Sequence, residues 1–168
     1  MKRHWIGFVF LSAATLACGT LAKESPSAAN TAKLEAAQQQ ARAGNKTLIV
    51  LYTSCDRYSG TDSNVQARVN ASGGGSTSWV TLDNAGNDRQ RCDKDYYYVT
   101  FPPGSGSVLH LRTDSRLAGP SWKLARADVY PASQDKAPSQ KNWGIWLGDR
   151  KYRGTWCEYH DTATHNCP

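Results

Sequence analysis

Eight short segments with the composition of β-strands recur along residues 47–160, each closed by Gly, Pro, Asn, Asp or Ser. Thr47–Thr53 (TLIVLYT) is continuous and apolar. Residues 64–69 alternate, with Val65, Ala67 and Val69 on one face. Residues 78–82, 95–101 (DYYYVTF) and 108–113 follow. In the last of these, Leu109 and Leu111 oppose Val108, His110 and Arg112. Residues 121–130 carry Trp122, Leu124, Ala127 and Val129 as core positions, and 142–147 and 155–160 complete the series. A period of two, repeated in short runs between turn signals, predicts an all-β antiparallel sandwich. In the run Tyr96-Tyr97-Tyr98, Tyr97 is expected to face the core and its two neighbours the opposite side.

The ends of the chain have a different texture. Met1 to Ala22 begins with Lys2 and Arg3, continues with an apolar run from Trp5 to Leu16 and ends in small residues. It reads as an export signal and is too short for a stable membrane span. Two cleavage points compete. One follows Ala22. The other precedes Cys18 in TLAC, a lipobox-like sequence that would leave a lipoprotein anchored through Cys18. Residues 23–46 hold one large apolar side chain, Leu34, and read as a polar N-terminal tether with helical tendency over 31–43. Residues 47–148 are the sandwich, and 149–168 a C-terminal extension. The expected location is the periplasm or the exterior.

Loss of Lys2 and Arg3 with the signal reduces the net charge from +6 to +4. No basic run of the phosphate-tracking kind is present, which argues against a nucleic-acid partner. Four cysteines follow the signal, an even count in an exported chain, and so two disulfides are expected. Three pairings exist. Cys55–Cys92 with Cys157–Cys167 is favoured, tying the first strand's end to an acidic loop and closing a short C-terminal loop. Cys157, His160, His165 and Cys167 also have a spacing that could ligate zinc, but an oxidising compartment favours the disulfide.

That acidic loop, 82–95, offers Asp83, Asn84, Asn87, Asp88, Asp93 and Asp95 in turn-forming backbone. Calcium takes six to eight oxygens, carbonyls included. Asp62, Asp83, Asn87 and Asp88, with the carbonyls of Gly60 and Thr61, would supply a set of that kind. No catalytic residues are assigned. There is no G-x-S-x-G elbow, His110 reads as an ordinary strand-face residue, and SGGGS (72–76) is a hairpin turn rather than a phosphate cradle.

The order of these pieces resembles the PLAT domain, the β-sandwich shared by lipoxygenases, some lipases and bacterial alpha-toxin. The residues that carry the resemblance are the G-T-D turn at 60–62, the loop GNDRQRC (86–92) leading into DYYYV, and LHLRTD (109–114). GPSWKLARADV (119–129) and NWGIWL (142–147) complete it. The resemblance implies two four-stranded antiparallel sheets. It also implies calcium at Gly60, Thr61, Asn87 and Asp88. The chain departs from the pattern at Gln90, where the family usually has Glu, and at Cys92, where it usually has Gly. Both departures weaken a calcium site, and a disulfide through Cys92 would pin the loops in place of a tightly held ion. The expected function is a non-enzymatic binding module that meets membrane lipid or a protein, with calcium assisting. Tyr58, Asn84, Arg116 and Leu117 would form the contact surface. The rival readings are a small hydrolase, which needs His110 or His160 beside Ser or Asp in a cleft, and a carbohydrate-binding module, which needs coplanar exposed aromatics.

Overall fold

A computed structural model describes residues 26–114, 122–133, 136–148, 154–160 and 165–167. The export signal and the lipobox cysteine Cys18 lie outside the described residues. One helix, α1 (Pro26–Ala43), precedes nine strands: β1 (Thr47–Thr53), β2 (Val65–Val69), β3 (Val80–Leu82), β4 (Lys94–Val99), β5 (Leu109–Thr113), β6 (Trp122–Tyr130), β7 (Ser139–Leu147), β8 (Cys157–His160) and β9 (His165–Asn166). They form two antiparallel sheets. One has the order β4-β1-β6-β7. The other has the order β3-β2-β5-β8 and is extended by the two-residue β9. The expected all-β sandwich of two four-stranded sheets is present.

The period-two pattern explains which faces meet. Val65, Ala67 and Val69 from β2 and Leu109 and Leu111 from β5 turn inward, with Cys157 and Tyr159 from β8. They pack on Ile49, Leu51, Tyr97, Val99, Leu124 and Val129 of the other sheet. Trp122, the first residue of β6, is fully buried, and its indole Nε1 donates to Thr53 Oγ1 at 3.0 Å. That bond satisfies the one polar atom of a fully buried ring.

Two boundaries differ from the sequence expectation. Residues 26–43 are not a free tether. Ala37 and Ala41, one turn apart, are buried with Leu48 and Val50, and Leu34, Tyr52, Tyr96, Tyr98 and Tyr130 pack beside them. The apolar surface that holds the helix belongs mostly to the sheet, whose outer face is itself apolar. Small alanines let α1 approach it closely. Secondly, the sandwich does not end at residue 148. β8 pairs with β5 over His110–Thr113, inside the second sheet. Tyr97 faces the inter-sheet core while Tyr96 and Tyr98 face α1, as the alternation predicted.

Candidate functional site

The loops 54–64 and 83–93 converge at one end of the sandwich. Cys55 and Cys92 are joined by a disulfide, and Cys157 and Cys167 by a second one. The two thiols with zinc-ligand spacing in the C-terminal segment are therefore engaged with each other. Backbone bonds knit the first pair of loops: Cys92 N donates to Ser54 O at 3.1 Å and Thr61 N to Arg89 O at 3.2 Å. Gly60 sits so close that a Cβ on it would lie 3.1 Å from Arg89 O and 3.2 Å from Arg91 N. A side chain there would push the loops apart. Tyr58, Arg89 and Cys92 all adopt positive φ, at 65°, 56° and 65°. Such angles cost L-residues free energy and persist where surrounding bonds enforce them.

Arg89 is the centre of this end, and sequence reasoning passed over it. Its residue exposure is 5%. Guanidinium Nη1 donates to Leu82 O at 2.9 Å, Asp88 Oδ2 at 2.6 Å and Tyr97 OH at 3.0 Å. The Tyr97 hydroxyl donates in turn to Asp88 Oδ2 at 2.8 Å. Arg89 N donates to Asp95 Oδ2 at 2.9 Å, which holds the strained backbone. Burial raises the Asp95 pKa, an effect partly opposed by this bond. Burial, with smaller help from Asp88, raises the Tyr97 phenol well above its ordinary value. The sequence marks this role only by an Arg directly after Asp88, eight residues ahead of a core-facing Tyr, which does not reveal its partners.

These contacts decide how well the oxygen donors suit calcium. The carboxylate of Asp88, 9% exposed, already accepts from a guanidinium and a phenol. The Asn87 Oδ1 accepts from Gln90 Nε2 at 2.9 Å, so the residue that replaces the usual Glu occupies the neighbouring ligand. Thr61 Oγ1 accepts from Ser63 N at 3.1 Å. Asp62 and Asp83 are exposed. The donor set fits a weakly held, water-rich ion and does not fit a tight one, because one carboxylate is neutralised and another ligand is an amide.

The outer rim of the same end carries aromatics and cations. Tyr58 is 60% exposed, and the Arg57 guanidinium lies 4.7 Å from its ring centroid. Trp146 on β7 is 45% exposed, with Lys123 Nζ 5.6 Å from its ring centroid. Lys123 also pairs with Asp56 beside Tyr58, which lowers the Asp56 pKa, and its N–H donates to Ser59 O at 3.0 Å. Lys123 thus links the Tyr58 loop to Trp146. Exposed Arg91 donates from Nε to Cys55 O at 2.8 Å. Of the other residues expected at a contact surface, Asn84 is half-buried in the turn after β3, and Arg116 and Leu117 lie outside the described residues.

The rival hydrolase reading needs His110 or His160 beside a nucleophile. Among the described residues, both imidazoles meet Glu158 instead. Burial, then the neighbouring His160, lowers the His110 pKa.

No protein-family model matches the chain, and no curated protein matches it. Solved structures do. Coral 8R-lipoxygenase, described as activated by calcium through a C2-like domain, aligns with a TM-score of 0.54 and 21% identity. The alignment covers 62% of this chain and 16% of the lipoxygenase. Alpha toxin from Clostridium absonum aligns with a TM-score of 0.52 and 23% identity, over 67% of this chain and 30% of the toxin. The alpha-toxin of an avian strain of Clostridium perfringens gives a TM-score of 0.50 at 20% identity, over 61% of this chain and 29% of the toxin. The chain thus spans less than a third of the length of each of these proteins. At such identities the likeness is one of fold, and that fold is a PLAT-like, C2-like β-sandwich.

Proposed function

We propose that this protein is an exported, non-catalytic binding module of PLAT type that docks on anionic lipid surfaces through the disulfide-pinned end. The observation that carries the reading is the pairing of exposed aromatics with cations on one rim. Tyr58 and Trp146 are two of the three large apolar side chains most exposed among the described residues, and Lys123 joins them. An aromatic ring with a polar tip suits the boundary between headgroups and acyl chains, and adjacent Arg57, Arg91 and Lys123 suit phosphate. The likeness to the lipoxygenase and the toxins is one of fold and supports lipid contact only to that extent, so a protein partner is the alternative outcome of the test. Calcium, in this reading, assists through Asp62, Asp83 and the Gly60–Thr61 backbone. It is not required for the loop's shape, since Arg89 already sits against Asp88.

Sedimentation of the mature protein with vesicles tests this. Phosphatidylserine-containing vesicles should pellet it, and pure phosphatidylcholine vesicles should do so less. Chelator should weaken the binding modestly. Tyr58→Ala and Trp146→Ala should each reduce partitioning by about tenfold, the loss of roughly 1.5 kcal/mol of aromatic burial. Absence of pelleting with every vesicle, with and without calcium, refutes the lipid reading.

A further inference from the structure

The second site lies on the opposite sheet, on its outer face. Alternation along β5 sends Leu109 and Leu111 into the core and His110 and Arg112 outward. Along β8 it sends Cys157 and Tyr159 inward and Glu158 and His160 outward. The register places His110 directly opposite His160, with Arg68 of β2 opposite His110 on the other side. Two imidazoles and a carboxylate therefore share one patch of the sheet. His110 Nδ1 is 3.3 Å from Glu158 Oε1, and His160 Nε2 is 3.7 Å from the same atom. One ligand atom from each of the three residues lies within 4.8 Å of the others. The two rings are edge to face, 4.4 Å apart at 77°.

We propose that His110, Glu158 and His160 bind one divalent zinc ion, with a fourth position open to solvent. Tetrahedral zinc with bonds of about 2.0–2.1 Å to nitrogen and oxygen sets its ligand atoms roughly 3.3–3.4 Å apart. The two nitrogen–oxygen distances, 3.3 and 3.7 Å, lie at or just above that spacing. Three side chains at 15%, 25% and 32% exposure leave a path from solvent. The sheet supplies rigid backbone for all three ligands.

Arg68 opposes the metal. Its Nη2 pairs with Glu158 Oε1, the atom that both histidines face, while the guanidinium stacks on Trp79 at 4.5 Å. Zinc and Arg68 therefore compete for one carboxylate. This competition gives the proposal a signature that casual binding by a surface histidine lacks.

Calorimetric titration of the mature protein with zinc should give one site per chain. His110→Ala and His160→Ala should each weaken it by about tenfold or more, since outer-shell changes alone cost that much. Arg68→Gln should tighten it. His165→Ala, the remaining histidine of the mature chain, should leave it unchanged. Thermal unfolding of each variant without metal checks that the sandwich is intact; His110, His160 and Arg68 all lie on its outer face. Unchanged affinity in His110→Ala or His160→Ala, loss of binding in His165→Ala, or weaker binding in Arg68→Gln overturns the proposal.

Discussion

Replacing Arg89 with Met tests whether a guanidinium does the structural work that an ion would do at this end. Met keeps much of the stem volume and removes the charge. Three acceptors each lose one donor: Leu82 O, Tyr97 OH and Asp88 Oδ2. Removing one partner of a buried ion pair costs about 3–5 kcal/mol, because the other charge stays behind without compensation. Asp88 is 9% exposed and keeps the Tyr97 hydroxyl, so the lower end, about 3 kcal/mol, is expected. For a domain of this size that corresponds to a fall in Tm of about 10–15 °C. With typical stabilities of about 5–15 kcal/mol, the variant should still fold.

Two further measurements separate this account from simple loss of packing. The double variant Asp88→Asn with Arg89→Met removes both charges and should recover about 1–2 kcal/mol of the loss in a double-mutant cycle. Calcium should also act differently on the two proteins. Arg89→Met frees the Asp88 carboxylate, and an ion at ten times its Kd stabilises by about 1.4 kcal/mol. Thermal unfolding followed by circular dichroism, with calcium and with chelator, should show a larger calcium shift in the variant than in the natural protein. A cost below about 1 kcal/mol for Arg89→Met, or equal calcium shifts in the two proteins, would overturn this account.

The two disulfides should differ in worth. Their sequence separations of 37 and 10 residues give about 3.8 and 2.7 kcal/mol of loop-closure stabilisation. Urea unfolding of Cys55→Ser with Cys92→Ser should therefore show the larger loss, and the reverse order would count against the entropic account. Alkali should unfold the protein from about pH 10 upward. Tyr97 has its folded pKa raised by burial, so its contribution is complete below the unfolded value near 10 and is lost as pH rises toward the folded value. The slope is about 1.4 kcal/mol per pH unit for that phenol, and a flat stability profile between about pH 10 and 11 would contradict it. Trp122→Phe, which loses the bond to Thr53 and leaves a void in the core, should cost about 2 kcal/mol by chemical denaturation.

The strands were legible because burial in a sandwich repeats every second residue, and that period survives in the sequence as Val65-Ala67-Val69 or Leu109-Leu111. The docking of α1 was not legible for the opposite reason. Its contact stripe is Ala37 and Ala41, which look like neutral helix formers, and the apolar surface that receives them lies on β1 and on the Tyr96, Tyr98 and Tyr130 side chains. The loop oxygens were visible as residue types. What their lone pairs are bonded to was not, because it depends on Arg89 folding back at positive φ toward Tyr97. His110 and His160 were hidden by distance along the chain: fifty residues separate them, and only the β5–β8 register makes them neighbours.

The two clusters also show why charge content alone misleads about metal sites. The loop end is the richer in carboxylates, yet its buried carboxylate faces a guanidinium that cannot lose its proton. A metal that takes the Asp88 carboxylate must displace a permanent internal cation, since Arg89 is 5% exposed. The histidine cluster on the outer sheet face has one carboxylate, Glu158, and its competing Arg68 is a quarter exposed at the side chain, able to swing toward water along the face of Trp79. Displacing Arg68 leaves a solvated cation, whereas displacing Arg89 would leave a buried one. The cost of evicting the resident cation, rather than the number of acidic residues, therefore favours metal at the histidines over metal at the Asp88 carboxylate.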